Sequence, residues 1–147
     1  VLNLATGESW DAIRGQGAHR DGEPLRPLPS AATDSIEVLG LESTPRNILD
    51  AAPLLARTGK VRLFGSMALS LAHTAAGGIS VHCSTIRARV FDMTASALMI
   101  TEVGGTVSDL EGNPLAGVEA GLESRRTLLS SADPALHAFS LALLRTP

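Results

Sequence analysis

Val61-Arg62-Leu63-Phe64-Gly65-Ser66-Met67-Ala68-Leu69-Ser70-Leu71-Ala72-His73-Thr74-Ala75-Ala76-Gly77-Gly78 is echoed further along by Val90-Phe91-Asp92-Met93-Thr94-Ala95-Ser96-Ala97-Leu98-Met99-Ile100-Thr101-Glu102-Val103-Gly104-Gly105. Each stretch runs from an extended segment through a small polar residue into an apolar run that stops at Gly-Gly. That outline predicts a strand, an N-cap (Ser66, Asp92) and a helix ended by glycine, with helices over Ser66 to Ala76 and Met93 to Val103. Both helices are apolar nearly all round, so each is buried on more than one side. Packed side by side in parallel, they present free backbone N–H groups to a common crevice. Such ends attract anions, phosphate above all.

Outward from this centre, strands are predicted at Ile36 to Leu41, Val61 to Phe64, Ile79 to Cys83, Thr106 to Leu110 and Thr127 to Ser131. Pro45 starts a helix to about Thr58, with Pro53 kinking or splitting it and Gly59 past its end. Asp133 caps a closing helix from Pro134 to Leu144. Strands alternating with helices predict a layered α/β sandwich with a mainly parallel sheet. Ahead of it, Val1 to Ala5 and Trp10 to Arg14 read as short strands, with turns at Gly15-Gln16-Gly17 and Asp21-Gly22. Residues 1–30 are thus an antiparallel meander, and 31–147 the α/β domain, joined through the Pro/Ala/Ser-rich connector Pro27 to Thr33. So short a meander leaves open edges. Since the chain opens on Val1 within it, the meander is expected to be the tail of a sheet begun elsewhere, and its edge to favour a homodimer.

The 147 residues are 44% hydrophobic with a net charge of −3, a balance that carries no basic bias toward nucleic acid. Aromatic content of 3% with no tyrosine disfavours base stacking. No apolar run reaches membrane-spanning length and no signal peptide is evident. The lone Cys83 precludes an internal disulfide, which fits a cytoplasmic location.

For Asp92 two readings stand side by side: a plain N-cap, or a magnesium ligand that needs further carboxylates or a phosphate beside it. Gly65-Ser66-Met67 is likewise either a capped strand-to-helix turn or a phosphate cradle of backbone N–H groups. His73, His82 and Cys83 lack the pairing that a zinc site needs. Ser66 lacks the Gly-x-Ser-x-Gly elbow of a hydrolase nucleophile. Arg87 and Arg89 meet either solvent or an anionic substrate, and Arg125 and Arg126 read as surface charges.

Taken together, three segments resemble the C-terminal half of the inositol monophosphatase family of magnesium-dependent, lithium-sensitive phosphatases. Arg14-Gly15-Gln16-Gly17-Ala18 with Asp21-Gly22-Glu23-Pro24-Leu25 resembles its R-G-x-G-A-x-x-(N/D)-G-x-P-(I/L) hairpin. Arg62 to Leu69 followed by Ala75-Ala76-Gly77-Gly78 resembles R-x-x-G-(S/T)-A-A-L with V-A-x-G. Phe91-Asp92-Met93-Thr94-Ala95-Ser96 and Glu102-Val103-Gly104-Gly105 resemble W-D-x-A-A-G with E-A-G-G. The resemblance implies that Asp92 binds Mg²⁺ and helps position the attacking water, and that Gly65, Ser66 and Met67 contact phosphate or substrate. Ser84 or Thr85 falls where the family carries the acidic residue that contacts inositol hydroxyls; Thr85 is the candidate. The family's D-P-x-D-G-(S/T) loop has no counterpart, so the implied phosphatase of small phosphorylated metabolites is expected to be inactive without an upstream half or second chain. The rival expectation is a non-catalytic binding or oligomerisation module of the same fold.

Overall fold

Leu128 and Leu129 are neighbours in sequence and both fully buried, yet they belong to different apolar clusters. Alternating side chains along a strand reach opposite faces, so the sheet that carries them is covered on both sides. The computed structural model describes residues 1–26 and 34–145. The connector expected at Pro27 to Thr33 lies outside the described residues.

The covered sheet has five strands in the order β5-β4-β6-β8-β7, made of β4 (Ile36–Leu41), β5 (Thr58–Arg62), β6 (Val81–Arg89), β7 (Thr106–Ser108) and β8 (Arg125–Ser131). β4 pairs in parallel with β5 and β6, while β8 lies antiparallel to both β6 and β7. Four strands therefore share one direction, as the alternating pattern predicts, and β8 alone is reversed. No helix separates β7 from β8, so the chain turns back and inserts β8 antiparallel between β6 and β7. On one face lie α3 (Met67–Ala75) and α4 (Val90–Glu102), with Leu71, Met93, Ile100 and Leu128 in the shared core. On the other lie α1 (Pro45–Asp50), α2 (Ala52–Leu55) and α5 (Pro134–Arg145), closed over Ile36, Leu39, Leu54, Val81 and Leu129.

The helix expected from Pro45 to Thr58 is two short pieces. Pro53 has no N–H for a continuous ladder, and the chain breaks at Ala51. β5 then begins three residues ahead of the predicted Val61, and Gly59 lies inside it instead of capping a helix. It is a mostly exposed edge strand without apolar alternation, which is why its pattern is faint. Asp133 caps α5 as predicted, its Oδ1 accepting from the Ala135 amide at 2.9 Å.

Both central helices end alike. Gly77 and Gly104 take positive φ (79° and 84°), and the next glycine bonds back to the carbonyl five residues earlier: Gly78 to His73 at 2.9 Å, Gly105 to Ile100 at 2.8 Å. Each Gly-Gly is a Schellman closure.

The meander comprises β1 (Trp10–Ile13), β2 (Gly17–Arg20) and β3 (Glu23–Pro24), antiparallel in that order, and packs on α4. The predicted first strand, Val1 to Ala5, reduces to one bridge, Leu2 to Ser9, and Leu4 is exposed. Trp10 is buried edge-on against His73, whose ring also meets Phe64. At the far end of α4, Glu102 accepts from the Gly15 and Gly17 amides at 2.9 and 3.0 Å, which ties the meander turn to the helix. These N–H groups, Gly15's first, hold the Glu102 carboxyl below its ordinary value. A group with a depressed folded pKa stabilises fully above the ordinary carboxylate range, and its contribution is lost as pH falls through the depressed value. Glu102→Gln is therefore expected to flatten the acid side of a Tm-against-pH profile; an unchanged profile would remove this clamp.

Candidate functional site

The two helix starts open into one cleft of about 710 Å³, lined by Glu42, Gly65 to Ala68, Ile86 to Arg89, Phe91, Asp92, Ala95 and Arg125. On the α3 side, Ser66 is extended (φ −138°, ψ 111°) and its Oγ accepts from the Leu69 amide at 3.4 Å. This cap leaves Met67 and Ala68 N–H groups without an intrahelical acceptor. Gly65 has φ +70°, a conformation few side chains tolerate, and nothing lies within 4 Å of where its Cβ would stand. The turn thus leaves open space beside its backbone.

On the α4 side the start differs from expectation. β6 continues to Arg89, with a shift of register against β8 between Ser84 and Ala88, and Val90 begins the helix with its N–H on the Ser124 carbonyl at 3.0 Å. Asp92 is therefore not the N-cap: it is the third helical residue, exposed, in the first turn. There a carboxylate complements the positive helix end. Ser96 Oγ donates to the Ala68 carbonyl at 2.9 Å and joins the two helices near the cleft.

Gly65, Ser66, Met67 and Asp92 are thus brought together, whereas Thr85 is not among the lining residues. Its amide and hydroxyl both donate to Asn47 Oδ1, at 2.6 and 3.0 Å, and Asn47 is fully buried. Sequence reading missed Glu42, which stands one residue past β4 on the same cleft, half-buried, with its carboxyl pushed up by desolvation. Arg125, which reads in sequence as a surface charge, lines with Arg87 both this cleft and an adjoining cavity of about 810 Å³. Among the described residues, Arg87, Arg89, Arg125 and Arg126 have no carboxylate within ion-pair reach. Only register across β6 and β8, which sets Arg89 opposite Arg125, brings these charges together.

A divalent cation of this kind takes six or more oxygens. Among the described residues, no three His, Cys, Asp or Glu side chains are grouped to hold a metal. The donors present among the described residues do not make a complete magnesium site.

The chain matches the model of the inositol monophosphatase family over residues 1–146. It belongs to the inositol monophosphatase family. It is 31% identical over 127 residues to the inositol-1-monophosphatase of Bacillus subtilis, covering 81% of this chain and 46% of that protein. It is 28% identical over 139 residues to the fructose-1,6-bisphosphatase/inositol-1-monophosphatase of Methanothermobacter thermautotrophicus, covering 93% and 49%. The chain spans about half the length of these curated relatives. The crystal structure of inositol monophosphatase-II from Staphylococcus aureus superposes with a TM-score of 0.81 at 21% identity, over 98% of this chain and 54% of that one. The IMPase of Thermotoga maritima gives 0.79 at 24%, over 95% and 52%. At these identities the structural likeness establishes the shared fold. Among the described residues, no helix is long and apolar enough to cross a membrane.

Proposed function

We propose that this member of the inositol monophosphatase family forms one wall of a magnesium-dependent phosphomonoesterase site acting on small phosphorylated polyols or related metabolites. The observation that supports this most is the meeting of two helix N-termini and Asp92 in a single cleft. The backbone amides around Gly65, Ser66 and Met67 take the phosphate, a use that helix N-termini serve generally. Asp92 would hold Mg²⁺ through one carboxylate oxygen, and the cation when bound would offset phosphate charge and activate water. The other ligands come from an upstream half or a second chain, so the 147 residues alone do not turn over. The lone carboxylate in the first turn of α4 also suits a second reading, a non-catalytic binding module of the same fold.

Titration of the chain with inorganic phosphate, followed by amide ¹H–¹⁵N spectra, tests the cleft. Shifts are expected to concentrate at Gly65 to Ala68 and at Phe91 and Asp92. Shifts confined elsewhere, or none, would contradict the assignment. Magnesium-independent phosphate binding would favour the non-catalytic reading.

A further inference from the structure

Arg87, Arg89, Arg125 and Arg126 stand on two paired strands, with Arg89 opposite Arg125 and Arg126 opposite Ala88. Like charges set opposite one another across a ladder repel and lower stability. Among the described residues, no carboxylate comes within ion-pair reach of any of them. Their side chains are nonetheless fixed. Arg87 Nη2 donates to the Arg125 carbonyl at 3.3 Å, and Arg126 Nη1 donates to the same residue's carbonyl at 2.8 Å. Arg125 Nη1 donates to the carbonyls of Leu122 and Ser124 at 2.8 and 3.5 Å. The Arg89 guanidinium lies 5.7 Å from the Phe91 ring centroid. A guanidinium carries five N–H donors, so one or two backbone bonds hold it in place without using them up. The cluster is a concentration of anchored positive charge with donors to spare.

Three of these residues, Arg87, Arg125 and Arg126, line the cavity of about 810 Å³, and Arg87 and Arg125 line the cleft as well. The two spaces thus share a wall of two guanidiniums. Glu119 and Glu123 also line the cavity. Three arginines against two glutamates leave a single positive charge, and that balance selects the anion. A second phosphate, at close to two negative charges, would exceed it and face both glutamates. A carboxylate carries one charge, and its two oxygens fit the guanidinium fork. We infer that the cavity beside the cleft is a carboxylate subsite formed by Arg87 and Arg125 with Arg126, and that its ligand is the phosphate ester of a small hydroxy acid. This rests on the reading of the cleft as a phosphate-ester site, and adds the group at the ester's other end.

The test is calorimetric titration of the chain with sn-glycerol 3-phosphate, D-3-phosphoglycerate and 1,3-propanediol bisphosphate. The first two differ only in a hydroxymethyl against a carboxylate at the far end. The phosphoglycerate is expected to bind about tenfold tighter, the scale of charge-assisted hydrogen bonds. In Arg87→Gln and in Arg125→Gln that ratio falls to near one. In amide ¹H–¹⁵N spectra of the unsubstituted chain, both monoesters are expected to shift Gly65 to Ala68. The phosphoglycerate alone is expected to shift Gly121 to Arg126 as well. Equal affinity for the two monoesters, an advantage that survives both substitutions, or no shift at Gly121 to Arg126 overturns the subsite while the phosphate cleft stands. If neither monoester moves Gly65 to Ala68, the phosphate-site reading falls, and this inference with it. Tighter binding of the bisphosphate than of the phosphoglycerate overturns the choice of a carboxylate.

Discussion

Gly105→Ala is expected to cost about 3 kcal/mol or more, as overpacking against rigid backbone does at its upper end. An alanine Cβ there would stand 2.5 Å from the Ser131 carbonyl oxygen, 2.7 Å from Ala132 Cα and 2.7 Å from Ile100 Cγ2. Two of these are backbone atoms at the end of β8, and the third belongs to the fully buried Ile100, so none can yield cheaply. Gly104→Ala serves as the comparison. Its Cβ would meet nothing within 4 Å, and the strain of its positive φ alone costs about 1–2 kcal/mol. A domain stable by roughly 5–15 kcal/mol would register both. Urea denaturation of the two variants should rank Gly105 well above Gly104; equal losses would show that the close approach of α4 to β8 is not what fixes the second glycine.

The second large effect is catalytic. In the competent protein, whether these residues are joined to further sequence or assembled with another chain, Asp92→Asn is expected to lower kcat by about 10²–10³-fold, the scale of losing one group that stabilises transition-state charge. A first-turn carboxylate contributes only about 0.3–1 kcal/mol to its helix, so such a loss would not come from unfolding. Steady-state phosphate release with Mg²⁺, alongside a thermal melt, separates the two. Unchanged kinetics would take Asp92 out of the site.

How far the sequence alone reaches depends on where each element's partner lies. The start of α3 was readable because its cap, Ser66, sits in the segment itself. The start of α4 was not, because the group that satisfies Val90 N–H is the carbonyl of Ser124, on the approach to β8. Asp92 consequently looked like a cap and is not one. The Gly-Gly endings were legible for the same local reason as Ser66. β5, an exposed edge strand beginning Thr58-Gly59-Lys60, carries no alternation to read. For the site, Gly65, Ser66, Met67 and Asp92 follow from two local outlines. Glu42 and Arg125 enter only through the pairing of β4 and β8 with β6, which no local pattern encodes. Thr85 is a candidate only by likeness of position; its amide and hydroxyl bond Asn47, and it does not line the cleft.

The central claim is that these residues hold one side of a metal-dependent phosphate site, with a single carboxylate from α4 on the metal. Calorimetric titration of the 147-residue chain with Mg²⁺ alone tests it most directly. Binding no tighter than on the order of millimolar is predicted, since one carboxylate leaves most of the cation's coordination to water. Micromolar binding by the isolated chain that is lost in Asp92→Asn would contradict it, by showing that the metal site is already complete within these residues.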